Sequence, residues 1–249
     1  MDFSTLLFRK RTKVPSISPE EALRPLDEPF KGALLSMYHG KSQVGYDGQH
    51  HEIDKTTRIN PQQGMWIFQL CRDVKPEATL EIGMGYGFST VYFLAARALN
   101  GSGHHTSIDP FQKEWWHGIA LEKVKEVRMA DSFQFINDYS TRAAADLTRA
   151  NRRFQVIFID GNHRFDDVLV DFTLFAPLCQ PGGYMIFDDL WMPSVQTAVS
   201  FVRTNRADCE EVSTSNPNVA VFRMRGEDKR DWDHFEPFQV GKDSSRTGK

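Results

Sequence analysis

Between residues 79 and 189 the chain repeats one pattern: a short apolar run that finishes on or beside an acidic residue. The runs are TLEIG with Glu81, HHTSID ending at Asp109, EKVKEVRMADS with Asp131, FQVIFIDG with Asp160, and YMIFDD ending at Asp188 and Asp189. Stretches of helical character separate or follow them. These are FSTVYFLAARALNG, a stretch from about Phe133 through Phe135 and Ile136, DDVLVDFTLFAPLCQPGG, and VQTAVSFVRTN. Strands alternating with helices mean right-handed βαβ units around a mostly parallel sheet. FQVIFIDG fits such a sheet best, because a strand covered on both faces is apolar without alternation.

Punctuation supports the same plan. Asn100-Gly101 stops the first helix. Val127 and Met129 lie on one side of the expected third strand, and Val168, Phe172 and Phe175 form one stripe of a helix ended by Pro181-Gly182-Gly183. CEEVSTSN and VAVFRMRG form a closing antiparallel hairpin across PN. The expected fold class is therefore α/β, a Rossmann-like doubly wound sheet, mostly parallel with a C-terminal antiparallel hairpin. The expected organisation is an irregular N-terminal lid or arm over 1–55, a main domain over 56–226, and a polar tail over 227–249, partly disordered. The arm carries Pro15, Pro19, Pro25 and Pro29 and the polar tract HGKSQVGYDGQHHEIDKT, which suggests loops with one or two short helices.

Composition excludes several classes of function. The 249 residues carry a net charge of −3, 40% hydrophobic and 25% charged residues, as in ordinary soluble proteins. Neither a basic nucleic-acid surface nor an acidic tail stands out. No apolar run approaches the roughly 18 to 20 residues of a membrane span. The start, MDFSTLLFRKRTK, places its basic residues after a very short apolar run, the reverse of a secretory signal. Cys71, Cys179 and Cys209 are odd in number and widely spaced, which suggests free thiols in a reducing compartment and no zinc site. The expectation is a cytoplasmic protein with no nucleic-acid or membrane partner.

In a parallel sheet, ligands bind beyond the carboxyl ends of the strands. The loop there reads Gly83-x-Gly85-x-Gly87. A dinucleotide site spaces its glycines G-x-G-x-x-G and sets a pyrophosphate on the helix N-terminus. Here the third glycine is misplaced, and Glu81 would repel a pyrophosphate. A ligand with a cationic end suits this mouth better. S-adenosylmethionine (SAM) has an ammonium and a sulfonium, and its carboxylate can use the loop amides. Glycines let the backbone approach it closely. Tyr86 and Ser89 border the loop. Asp109, followed by Pro110, ends the next strand, where an acid can accept both ribose hydroxyls. Asp131 and Ser132 are expected to end the third, where adenine would lie. Asp160, Asp188 and Asp189 end neighbouring strands and would repel one another unless a cation joined them. Oxygen ligands favour Mg²⁺ or a similar hard ion.

The ordered set E-x-G-x-G-x-G, SID, ADS, FIDGNH and L-x-x-PGG, over roughly residues 60–225, resembles the class I SAM-dependent methyltransferases. FIDGNHRFDD and IFDDL are similar to the metal-dependent O-methyltransferases, which include catechol and caffeoyl-CoA enzymes. D-G-x-H followed by PGG and DD is similar to the branch that methylates sugar hydroxyls of macrolides. TTRINPQQGMWIFQL resembles the helix that covers the cofactor there, with Gln63 near the methionine end. The resemblance implies methyl transfer to a hydroxyl of a small molecule, a metal on Asp160, Asp188 and Asp189, Asp160 also near the cofactor, and His163 as general base. A sugar hydroxyl is a far weaker acid than a phenol, so a base beside it is needed. Histidine can take that proton near neutrality.

Plainer roles stand beside these. His163 also has a plain reading as a solvated loop histidine, and Asp188-Asp189 as a cap on the following turn, each outweighed by the functional one. Asp166-Asp167 suit a helix N-terminus. Neighbours in an extended segment point opposite ways, so His50-His51 and His104-His105 are not metal sites. Trp115-Trp116 and Trp191 either stack on an acceptor or fill core. The rivals are a metal-independent N-, C- or O-methyltransferase and a non-catalytic SAM-binding protein. A homodimer is expected if the arm completes a neighbour's site.

Overall fold

The structure is a computed structural model that describes residues 17–240. The basic opening, Pro15 and the last nine residues of the tail lie outside the described residues. In chain order the elements are α1 (Pro19–Ala22), α2 (Phe30–Tyr38), β1 (Gln43–Val44), β2 (His50–His51), α3 (Pro61–Val74), β3 (Ala78–Ile82), α4 (Phe88–Asn100), β4 (His104–Ile108) and α5 (Ile119–Glu126). They continue as β5 (Phe133–Ile136), α6 (Ser140–Arg149), β6 (Phe154–Ile159), α7 (Phe165–Phe175), β7 (Cys179–Phe187), α8 (Pro193–Asn205), β8 (Cys209–Val212) and β9 (Ala220–Met224).

The seven-stranded sheet runs β5-β4-β3-β6-β7-β9-β8. The first five in that order are parallel, and β9 and β8 are antiparallel to their inner neighbours. The chain winds outward from β3 to β5, then returns to place β6 on the other side of β3. That reversal opens the crevice between the ends of β3 and β6.

Strand period divides the core in two. Val156 and Phe158 join α2, α3, α4 and α5 on one face. Ile157 and Ile159 join α6, α7 and α8 on the other. β6 is therefore buried on both faces, which explains its unbroken apolar run. The residues ahead of α3 belong to the first of these layers. Leu23, Leu34 and Met37 are fully buried. The Tyr38 ring lies 4.8 Å from Phe88, and its hydroxyl donates to the Ile59 carbonyl at 3.1 Å.

Three expectations need correction. EKVKEVRMADS holds no strand: α5 runs to Glu126, and Arg128 turns the chain at φ 58. Val127 and Met129 are buried in that turn, which gives them the spacing of a strand without being one. The third strand is Phe133–Ile136, the segment expected to be helical, and the helix begins at Ser140. The α7 helix ends at Phe175, and β7 already spans Pro181-Gly182-Gly183, where the pairing with β6 slips in register. The closing hairpin forms as expected, with Val212 opposite Val221. No described helix is long and apolar enough to cross a membrane. All three cysteines are free and buried.

Candidate active site

The acids Asp109, Asp160 and Asp188 each lie one residue past a strand. Each backbone N–H continues the sheet, to Ile136, Ile82 and Ile159 respectively, at 2.9 to 3.2 Å. Parallel pairing thus sets the acids side by side along one edge. The glycine loop meets them there. Gly83 has φ 88, and a Cβ on it would come within 2.1 Å of the Asp160 carbonyl oxygen. Gly85 has φ 52, and a Cβ there would meet nothing within 4 Å, so its backbone faces open space.

The loop's side chains are engaged in ways the sequence did not reveal. Glu81 is fully buried. It accepts from Ser89 at 2.7 Å, Thr90 at 2.5 Å and Ser107 at 2.5 Å. Glu81 and Ser89, both buried, are bonded to each other behind the loop. The Asp109 carboxylate accepts from the Met84 and Gly85 amides at 3.1 and 2.9 Å and from Phe111 N at 2.8 Å. It holds the loop in place, and Pro110 follows it half-buried at the rim. Tyr86 is buried against Trp116, with ring centroids 5.0 Å apart, and faces the N-terminal segment. Gln112, unnoticed in the sequence, donates to the Gly85 carbonyl at 2.7 Å and to Asp109 at 3.1 Å.

Asp131 and Ser132 are not at this edge. They form a short turn at the amino end of β5, and Asp131 is exposed. The expectation failed because the strand was placed one segment too early. The carboxyl end of β5 carries Asn137, Asp138, Tyr139 and Ser140 instead. The readable signal was FINDYS, an apolar run closing on an acid like the others.

The second constellation converges differently from the expectation. His163 Nε2 lies 3.3 Å from Asp160 Oδ1 and 3.1 Å from Asp189 Oδ2. Donor atoms of these three residues all lie within 4.8 Å of one another. Asp188 is not in that cluster. Its Oδ1 accepts from Gln63 Nε2 at 2.5 Å, Asn218 Nδ2 at 3.0 Å and Asp189 N at 2.7 Å. Gln63 is thus turned toward an acid. Asn218, on the loop between β8 and β9, is a site residue the sequence reading missed. Nothing in the hairpin's apolar pattern marks it.

The electrostatics follow from burial and pairing. Burial pushes the Asp160 carboxyl up to about 6, against the pull of His163. Hydrogen bonds to Asp160 and Asp189 raise the His163 imidazole to about 10. Burial, then the Asp160 and Asp189 charges, holds Asp188 well above the carboxylate range. Burial opposes ionisation of Asp189, but bonds from His163, Trp191 and Asn218 leave its carboxyl below that range. At neutral pH a protonated His163 therefore offsets part of the charge of the acids. The two carboxylates at this spacing also fit a divalent cation, which would take over the charge that His163 now supplies.

The remaining candidates separate cleanly. His51 turns to Asp47 at 2.9 Å and stacks on His117, while His50 is exposed. His105 is fully buried beside Phe93 and bonds Thr79, while His104 is half-buried. Asp166 and Asp167 occupy the first turn of α7. Trp115 is exposed and stacks on Phe111 at 3.8 Å. Trp191 is exposed and donates to Asp189 Oδ1 at 2.8 Å.

Residues 80–190 match a family model described as a methyltransferase domain. Among solved structures, the SAH-bound methyltransferase PaMTH1 of Podospora anserina superposes with a TM-score of 0.64 at 14% identity, covering 83% of this chain and 93% of that one. An O-methyltransferase of Bacillus cereus in complex with SAH gives 0.60 at 17%, covering 82% and 93%. The O-methyltransferase TomG of Streptomyces achromogenes, in complex with SAM, gives 0.58 at 20%, covering 80% and 91%. Two curated relatives are uncharacterized. One from Acanthamoeba polyphaga mimivirus is 41% identical over 49 residues, and one from Sinorhizobium fredii is 27% identical over 134 residues. The matches span 18% and 51% of this chain but only 22% and 14% of those proteins.

Proposed function

From a chain that carries a methyltransferase domain over residues 80–190, within a class I methyltransferase fold, we propose SAM-dependent transfer of a methyl group to a hydroxyl oxygen of a small molecule. The carrying observation is the Asp160–His163–Asp189 cluster directly beside the glycine loop, with Asp160 against Gly83. The SAM- and SAH-bound neighbours support the donor, and the two named O-methyltransferases support oxygen as the acceptor atom.

In this reading the donor lies over the open face of Gly85, on the loop that the Asp109 carboxylate holds in place. The donor supplies an electrophilic methyl; Mg²⁺ or a similar cation, when bound, supplies positive charge beside the acceptor oxygen. Asp160 and Asp189 would hold that cation. His163 would be the base. It must first lose the proton it holds between the two acids, and charge on Asp160 and Asp189 compensated by a cation lowers its hold on that proton. Such a base is typically worth about 10²- to 10⁴-fold. A metal-free variant of the reading rests on the same pairing, since His163 already lies against both acids.

The test is SAH formation from SAM with a panel of phenolic and sugar-hydroxyl acceptors, with Mg²⁺ or with EDTA. Turnover that EDTA abolishes, and that His163→Ala lowers by about 10²-fold or more, supports the full reading. Turnover indifferent to EDTA removes the cation. Turnover indifferent to His163→Ala removes the base.

A further inference from the structure

We propose that Asn218 is the positioning residue that aims the Asp189 carboxylate at a bound cation, an inference that rests on the cation reading above. Asp189 has φ 52, a left-handed backbone rare for a side-chain-bearing residue. Such a backbone persists only where its surroundings hold it. Three contacts do so. Trp191 Nε1 and Asn218 Nδ2 reach Asp189 Oδ1 at 2.8 and 3.3 Å, and the Asn218 carbonyl accepts from Leu190 N at 2.8 Å. Oδ1 is thereby engaged, and Oδ2 is left facing His163 at 3.1 Å.

The orientation of the Asn218 amide is dictated by its neighbours. Nδ2 lies 3.0 Å from Asp188 Oδ1, 3.3 Å from Asp189 Oδ1 and 3.2 Å from Gln63 Oε1. Gln63 already spends Nε2 on Asp188, so its oxygen faces Asn218. All three neighbours are acceptors, and only the nitrogen end can meet them. The loop is built to keep it there. Asn216 Oδ1 accepts from Asn218 N at 3.0 Å, and Pro217 between them fixes one backbone angle. One amide therefore ties together α3, the end of β7 and the β8–β9 loop at the two adjacent acids. Partners that orient a metal ligand typically matter 10- to 100-fold in metal affinity.

The backbone bonds of the loop, Leu190 N to the Asn218 carbonyl and Asn218 N to Asn216, do not use the Asn218 side chain. Chelator-treated wild type and Asn218→Leu are titrated with Mn²⁺, read by the electron-spin signal of free Mn²⁺, and with SAH by calorimetry. The expected result is Mn²⁺ binding weakened about 10- to 100-fold in the variant with SAH affinity unchanged. Asn218→Ala, which adds no bulk, gives the same comparison if the leucine variant does not fold. Equal Mn²⁺ affinity in variant and wild type overturns the proposal. So does joint loss of Mn²⁺ and SAH in both variants, which would make Asn218 a fold element. Wild type that binds SAH but no Mn²⁺ removes the cation reading itself, and this inference with it.

Discussion

Glu81 was expected to meet the ammonium of a ligand, and the fold sets it among hydroxyl partners. Its carboxylate is fully buried and takes hydrogen bonds from Ser89, Thr90 and Ser107, with His105 Nε2 3.2 Å away. A buried carboxyl needs such partners, and their hydroxyls need it in return. Its role is to fix α4 and β4 against the loop. Glu81→Ala leaves three buried hydroxyls without their acceptor and should cost about 3 kcal/mol of stability, measured by urea unfolding. A variant that keeps wild-type stability yet loses SAH binding would return Glu81 to the ligand. The Asp188 carboxylate illustrates the same lesson: the motif identified an acid at the right edge, while Gln63 and Asn218 set where one of its oxygens points.

At the scale of elements, α7 carries an acid on its inner side. Asp171 is 4% exposed, within the helix that buries Val168, Phe172 and Phe175. Burial pushes its carboxyl up to about 6, against a hydrogen bond from Ser140 at the start of α6. The folded state therefore holds this proton more tightly than the unfolded chain does. Its contribution to stability is fully present below pH 4 and is lost as pH rises through about 6. A shift of that size corresponds to about 3 kcal/mol. Asp171→Asn should therefore unfold at a higher temperature than wild type at pH 8, with the gap narrowing at pH 5. A gap independent of pH would contradict the assignment.

Elements with strong signals were legible. The β6 run is buried on both faces, and the β3–loop–α4 unit is bounded by glycines. Both read correctly from sequence. The α5–β5 region did not, for a physical reason. Val127 and Met129 pack inward from a turn, so two-residue spacing imitated a strand. The edge strand β5 is only partly buried along its length, so its own pattern was weak. That slip moved Asp131 and Ser132 to the wrong end of the sheet and hid Asp138 and Ser140. Which strand ends meet was legible, because parallel pairing fixes it. Which oxygen faces which partner was not, because a distant loop decides it.

Across the whole molecule, one crevice collects the chemistry. Doubly wound topology reverses between β3 and β6, and the glycine loop and the Asp160–His163–Asp189 cluster flank that reversal. The residues ahead of α3 pack into the same layer as α4, and their Asp54 N–H reaches the Tyr86 hydroxyl at 3.4 Å. The loop is thus braced from below by Glu81 and from outside by the N-terminal segment. This arrangement makes sense if the loop must be held open for a donor rather than merely turn the chain. The most direct test is calorimetric titration of the full chain with SAH in the presence of Mg²⁺. The account predicts saturable one-to-one binding in the micromolar range, lost on Gly85→Val, whose side chain would fill the open face of the loop. Absence of binding by chain shown to be folded, or binding unaffected by Gly85→Val, would contradict the assignment of the loop as a methyl-donor site.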